Sequence, residues 1–120
     1  MIEAVIVAAP ADRVHAHLVT SRPGWRLRKG ELRFAFDVVG DHVEATFHVD
    51  LATPALLALT CTATTIDLGW TTTRVHLAIA STAQGCRIAL LHAGVPAGAT
   101  RDVWRQFLDE LAASVTAAAA

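Results

Sequence analysis

The chain has 120 residues, enough for one domain with one hydrophobic core and too few for two. It is 53% hydrophobic and 18% charged with a formal net charge of −1, so no overall field draws it to nucleic acid or to an anionic membrane. No apolar run reaches the roughly 18 residues that a membrane helix needs.

The opening "MIEAVIVAAP" lacks a basic leader region and carries Glu3, which predicts a cytoplasmic, non-membrane protein. Lys29 is the one lysine among many arginines, and with the abundant alanine this reads as the codon bias of a bacterial genome. Cys61 and Cys86 form no CxxC pair and are expected to be reduced and buried.

In chain order, "IEAVIVA" (2–8) is β-branched, stops before Pro10, and reads as a strand. Residues 10–19 start a short helix with Pro10 in its first turn and Val14 and Leu18 on one stripe. "TSRPGW" (20–25) breaks it. From residue 31 the period becomes two: Leu32, Phe34, Phe36 and Val38 share a face, with Arg33 and Asp37 opposite. "GD" (40–41) signals a turn. Val43, Ala45, Phe47, Val49 and Leu51 then face one way, and His42, Glu44, Thr46, His48 and Asp50 the other. Such alternation marks an antiparallel sheet with one wet face.

Strands are further expected at 55–63, 71–82 and 86–92, the last two separated by the turn 83–85. Cys86, Ile88, Leu90 and His92 align, so His92 points with the core residues. The last segment is a helix, with Thr100 as its cap and a stripe of Val103, Trp104, Phe107, Leu108, Leu111, Ala112 and Val115. A stripe this broad must lie across the inner face of the sheet. The "TAAAA" ending reads as a fraying helix end. The layout is strand, short helix, meander, long helix, with no repeat and no linker.

Three stretches in this order carry a resemblance: "APADRVHAHL" (9–18), "ATPALLALTCT" (52–62) and "GCRIALLHAGVP…VWRQFLDELAASV". The chain resembles the START-like (SRPBCC, Bet v 1-like) superfamily, and within it the AHSA-type proteins named for the activator of heat-shock-protein ATPase. The resemblance spans residues 2–117 of a single domain, 1–120. It departs from the pattern at His15, where an aromatic is common, and at "LTCTA", where tryptophans are common. It implies an α+β helix-grip fold: a curved antiparallel sheet wrapped around a long C-terminal helix, with a short helix after the first strand and a cavity between sheet and helix. It also implies a choice among hydrophobic-ligand binders, polyketide cyclase or dehydratase enzymes, and chaperone-linked interaction modules, which the fold does not make.

His92 could be a general base or polar anchor at the cavity end, or a structural hydrogen-bonding group. Catalysis needs a second group poised against it, and "AGVPAGA" supplies none, so the structural role is favoured. His15 and His17 point about 200° apart on a helix, and His42, His48 and His76 face outward, so no metal is expected. Cys61 reads as a small buried hydrophobe, having no base or oxyanion pocket in any recognisable pattern.

Phe34, Phe36, Phe47, Trp70, Trp104 and Phe107, with Leu77, Leu108 and Cys61, are candidates for the space between sheet and helix. They either fill it or line a pocket. His15 or His92 would orient a ligand there, and Trp25 would stand at the mouth. Asp37, Glu44 and Asp50 alternate outward, leaving no inward carboxylate pair, and no phosphate-binding loop is present. The expectation is a binder of a small hydrophobic molecule, non-enzymatic or at most weakly catalytic, without cofactor or nucleic-acid partner. A homodimer through sheet edges is left open.

Overall fold

A computed structural model describes residues 1–95 and 98–119. In order these form β1 (Ile2–Val7), α1 (Ala11–Val19), β2 (Trp25–Arg28), β3 (Glu31–Val38), β4 (Asp41–Ala52), β5 (Leu56–Thr64), β6 (Arg74–Thr82), β7 (Gly85–Ala93) and α2 (Ala99–Ala119). Pro96, in the expected Gly-x-Pro turn, and Ala120, in the expected fraying end, lie outside the described residues.

Among the described residues the strands make one curled antiparallel sheet in the order β1-β7-β6-β5-β4-β3-β2. The meander runs from β2 to β7, and β1 closes it by pairing with β7, Ile2 opposite Leu91 through Val7 opposite Cys86. The fold is thus α+β, a half-barrel gripping the long α2. Two-residue alternation puts Leu32, Phe34, Val43, Ala45, Phe47, Leu59, Cys61, Val75, Leu77, Ile88 and Leu90 on the buried face. The stripe of α2, from Val103 to Val115, lies against it. Glu3 of β1, on the same face as Val5 and Val7, ties the sheet to the helix, 2.7 Å from Arg101 and 3.3 Å from Arg105.

Two tight hairpins set the registers of β2–β3 and β3–β4. Their central residues, Lys29–Gly30 and Val39–Gly40, all have positive φ, the geometry that suits the twist of two-residue loops. The second turn therefore sits one residue before the expected "GD". Val39 is the surprise, because a β-branched residue is strained at positive φ (49°).

Three expectations need correction. "WRLR" forms a strand, β2, where the sequence reading saw only a break after α1. Leu51 does not face inward with Val49: the register of β4 against β5 shifts between these residues, and Leu51 emerges 46% exposed. A bulge adds one residue to one strand and so reverses every side chain beyond it. Thr100 lies within α2, where its hydroxyl accepts a hydrogen bond from the buried Trp70 indole at 3.1 Å.

Candidate functional site

The space between the sheet and α2 is occupied by aromatic rings packed on each other. Trp70 and Trp104 stack 5.6 Å apart at 10°, with Phe34 against Trp104 at 5.0 Å and Phe36 against Trp70 at 5.2 Å. Phe47 lies 6.3 Å from Trp70 and 6.4 Å from Trp104. Trp70 comes from the segment between β5 and β6, which folds inward to place the ring under α2. Leu77, Leu108 and Cys61 are buried around this stack. Burial raises the Cys61 thiol pKa, and Cys86 is shifted the same way for the same reason. Both cysteines are buried and unbridged.

His92 ends β7 at the centre of a chain of hydrogen bonds. Trp104 Nε1–H donates to His92 Nδ1 at 2.9 Å. That fixes the neutral tautomer with the proton on Nε2, which donates to Thr73 Oγ1 at 2.8 Å. Thr73 in turn donates to the Trp70 carbonyl. Burial, and less strongly the positive charge of the Met1 amino terminus, lower the His92 pKa from 6.5 to about 4. A second proton on the ring would set N–H against N–H at Trp104, so the geometry and the shift agree. The imidazole is 0% exposed and has no lone pair left for a substrate. It is a strut between strand, loop and helix.

Trp25 lines a groove that opens beside Pro23 and Gly24, with its ring largely covered. It is 2% exposed, stacks on Phe107 at 4.6 Å, and its Nε1–H donates to the Leu18 carbonyl of α1 at 2.8 Å. His15 is half-buried in a narrow crevice beside Leu57 and Ile79. His92 pairs with Val75, four residues from Ile79 along β6, or about 13 Å at strand rise. The two histidines are not brought to one site. The pairs His42–Asp37 (3.2 Å) and His48–Asp50 (2.8 Å) lie exposed on the outer face. Thr60 and then His48 hold the Asp50 pKa below its usual value. Among the described residues no three of His, Cys, Asp and Glu converge as a metal site.

One opening does reach the aromatic layer. A groove of about 120 Å³ runs between β2–β3 and α2, lined by Trp25, Phe34, Phe107 and Leu111, with Glu110 and Ser114 on its helix side. It adjoins a larger cleft of about 660 Å³ on the β2–β3 hairpin, and the two share Arg22 and Pro23. Arg22 is anchored by its Nη1–H to the His17 carbonyl at 2.6 Å and lies 5.8 Å above the Trp25 ring. The basic residues of the hairpin escaped the sequence reading. Their signal was the charge density of "RPGWRLRKGELR", which passes for a loop once β2 is missed.

Solved structures decide the class of this architecture. A crystal structure of a Chromobacterium violaceum protein superposes with a TM-score of 0.72 at 16% identity, over 96% of this chain and 95% of that one. The solution structure of the Aha1 dimer from Colwellia psychrerythraea gives 0.65 at 11%, over 96% and 94%. A START superfamily protein from Mycobacterium smegmatis gives 0.60 at 14%, over 97% and 92%. The fold is START-like. It is the helix-grip form shared with Aha1, as the three sequence stretches imply. At these identities the likeness concerns the START-like fold alone. No protein-family model and no curated protein matches the chain. No helix among the described residues is long and apolar enough to cross a membrane.

Proposed function

We propose that this START-like domain is a non-enzymatic binding module that takes a small hydrophobic group at the mouth between β2–β3 and α2. The groove beside Trp25, Phe34 and Phe107 carries this reading, because it opens onto both the inner sheet and the helix. Its roughly 120 Å³ is near the size of a cavity that holds one benzene ring, about 150 Å³. The ligand is therefore ring-sized, and the deeper candidates Phe36, Phe47, Trp70, Leu77, Trp104 and Leu108 form the wall and floor that keep Trp25 and Phe107 in place. A cyclase or dehydratase reading has little support, since both nitrogens of His92 are committed to Trp104 and Thr73. The unbridged, buried cysteines suit a reducing compartment such as the cytoplasm.

The three indole N–H resonances test the reading directly in a titration with single-ring compounds. Trp25 is expected to shift while Trp70 and Trp104 stay still. Movement of Trp70 and Trp104 would mean a deep cavity instead, and no movement at Trp25 would remove the groove.

A protein-contact reading has one observation in its favour. Ile2 (64% exposed), Ile6 (58%) and Leu91 project from the outer face of the neighbouring strands β1 and β7. If two copies meet there, Ile6→Lys shifts sedimentation to a smaller species; an unchanged profile rejects it.

A further inference from the structure

The stretch 22–33 holds five of the ten basic residues of the chain and one of its eleven acidic ones. The β2–β3 register sets Arg26 directly opposite Arg33, and Arg28 opposite Glu31, on the outward face. Like charges directly opposite in a sheet are unfavourable. Glu31 does not relieve them all, because its carboxylate lies 2.8 Å from Arg33 Nε. Arg33 also reaches Glu44 at 3.8 Å. Among the described residues Arg26, Arg28 and Lys29 have no carboxylate at ion-pair distance. All three line the cleft of about 660 Å³, and Leu27 gives that cleft an apolar patch.

Cleft and aromatic groove meet at Arg22 and Pro23. On the far side of the groove stands Glu110, which accepts a hydrogen bond from Gln106 at 3.1 Å. A ligand in the groove therefore experiences negative charge from α2 and uncompensated positive charge from the hairpin. We propose that the ligand is a small aromatic carboxylate, its ring in the groove against Trp25 and Phe107 and its carboxylate in the cleft among Arg26, Arg28 and Lys29. This rests on the groove reading above and adds the charge. Guanidinium groups suit the task, since each presents a planar fork of donors to the two oxygens of a carboxylate. The ring supplies burial, and the carboxylate supplies orientation and selectivity against neutral analogues.

The same charges on an edge strand would also discourage pairing with another chain, and the experiment separates the two roles. Labelled protein is titrated with phenylpropanoate and with the matched alcohol, phenylpropanol, following the Trp25 indole resonance. The acid is expected to bind at least about tenfold more tightly. That preference should shrink on going from about 0.05 to about 0.5 M salt, and vanish in the variant Arg26→Gln/Arg28→Gln/Lys29→Gln while the alcohol still binds. Equal affinity for acid and alcohol leaves the groove standing and overturns the anion assignment. A preference that survives in the variant also overturns it, because the charge is then read elsewhere. If neither compound moves Trp25, groove and inference fall together. Should the variant self-associate, as a mere edge guard predicts, the wild-type ratio and its salt dependence decide the matter.

Discussion

Between about pH 6.5 and 4, acid should weaken this protein through His92. The unfolded chain takes up a proton at the ordinary histidine pKa of 6.5, whereas the folded imidazole resists it to about 4. Above 6.5 both states are neutral and stability is unaffected. Between 6.5 and 4 the unfolded state binds more protons, so stability falls as pH falls, and below about 4 this contribution is flat again. At about 1.4 kcal/mol per pH unit the loss is about 3 kcal/mol, a large share of the total for a small domain. The assay is urea unfolding at several pH values across that window, for the wild type and for His92→Gln. A glutamine side-chain oxygen can accept and its amide can donate, but it does not titrate. The variant should be less stable at neutral pH, through imperfect geometry, yet lose much less stability on acidification. The exposed histidines and carboxylates are common to both proteins and cancel in the comparison. Parallel pH profiles for the two proteins would refute the assignment.

Val39→Asn should raise stability by about 1 kcal/mol, since asparagine tolerates the left-handed region that strains a β-branched residue; thermal unfolding checks it. Gly85→Ala should cost at least about 2 kcal/mol in the same assay. Its Cβ would stand 2.1 Å from the Val7 carbonyl oxygen and 2.8 Å from the Ala9 amide nitrogen, backbone atoms that cannot swing aside. Thr100→Val should cost about 1–3 kcal/mol by leaving the buried Trp70 indole without an acceptor. An unchanged unfolding midpoint would mean that water reaches it.

The long alternations were readable because both of their faces were written in the residues: Leu32 to Val38 and Arg74 to Thr82 each oppose apolar to polar or small positions. The broad stripe from Val103 to Val115 likewise left α2 no choice but to cover the sheet. What escaped were features decided by contacts distant in sequence. β2 has four residues, two of them arginine, and exists because Trp25 is drawn under α1 and against Phe107. Leu51 looks inward by counting, and one bulge against β5 turns it out. Thr100 has the chemistry of a cap, but its partner is an indole 30 residues earlier. For the site, the aromatic set was legible as a set. Its division between rings packed in the interior and rings that line a groove depends on ring orientations that no pattern of residues encodes.

The placement of β1 has a consequence for how the chain acquires its shape during synthesis. From β2 to β7 every pairing joins strands adjacent in sequence, so the sheet can be extended hairpin by hairpin at small loop-closure cost. β1 is synthesised before the other strands of the sheet, but its partner β7 lies some eighty residues downstream and pairs with β6 in the meantime. The strand made first is thus the last to be incorporated. Until then Ile2 and Ile6 have no sheet beside them, and the free edge of β7 is open to any other extended segment. Pulse-labelled hydrogen exchange during refolding should find the β3–β4 amides protected before those of β1, and the reverse order would contradict this route.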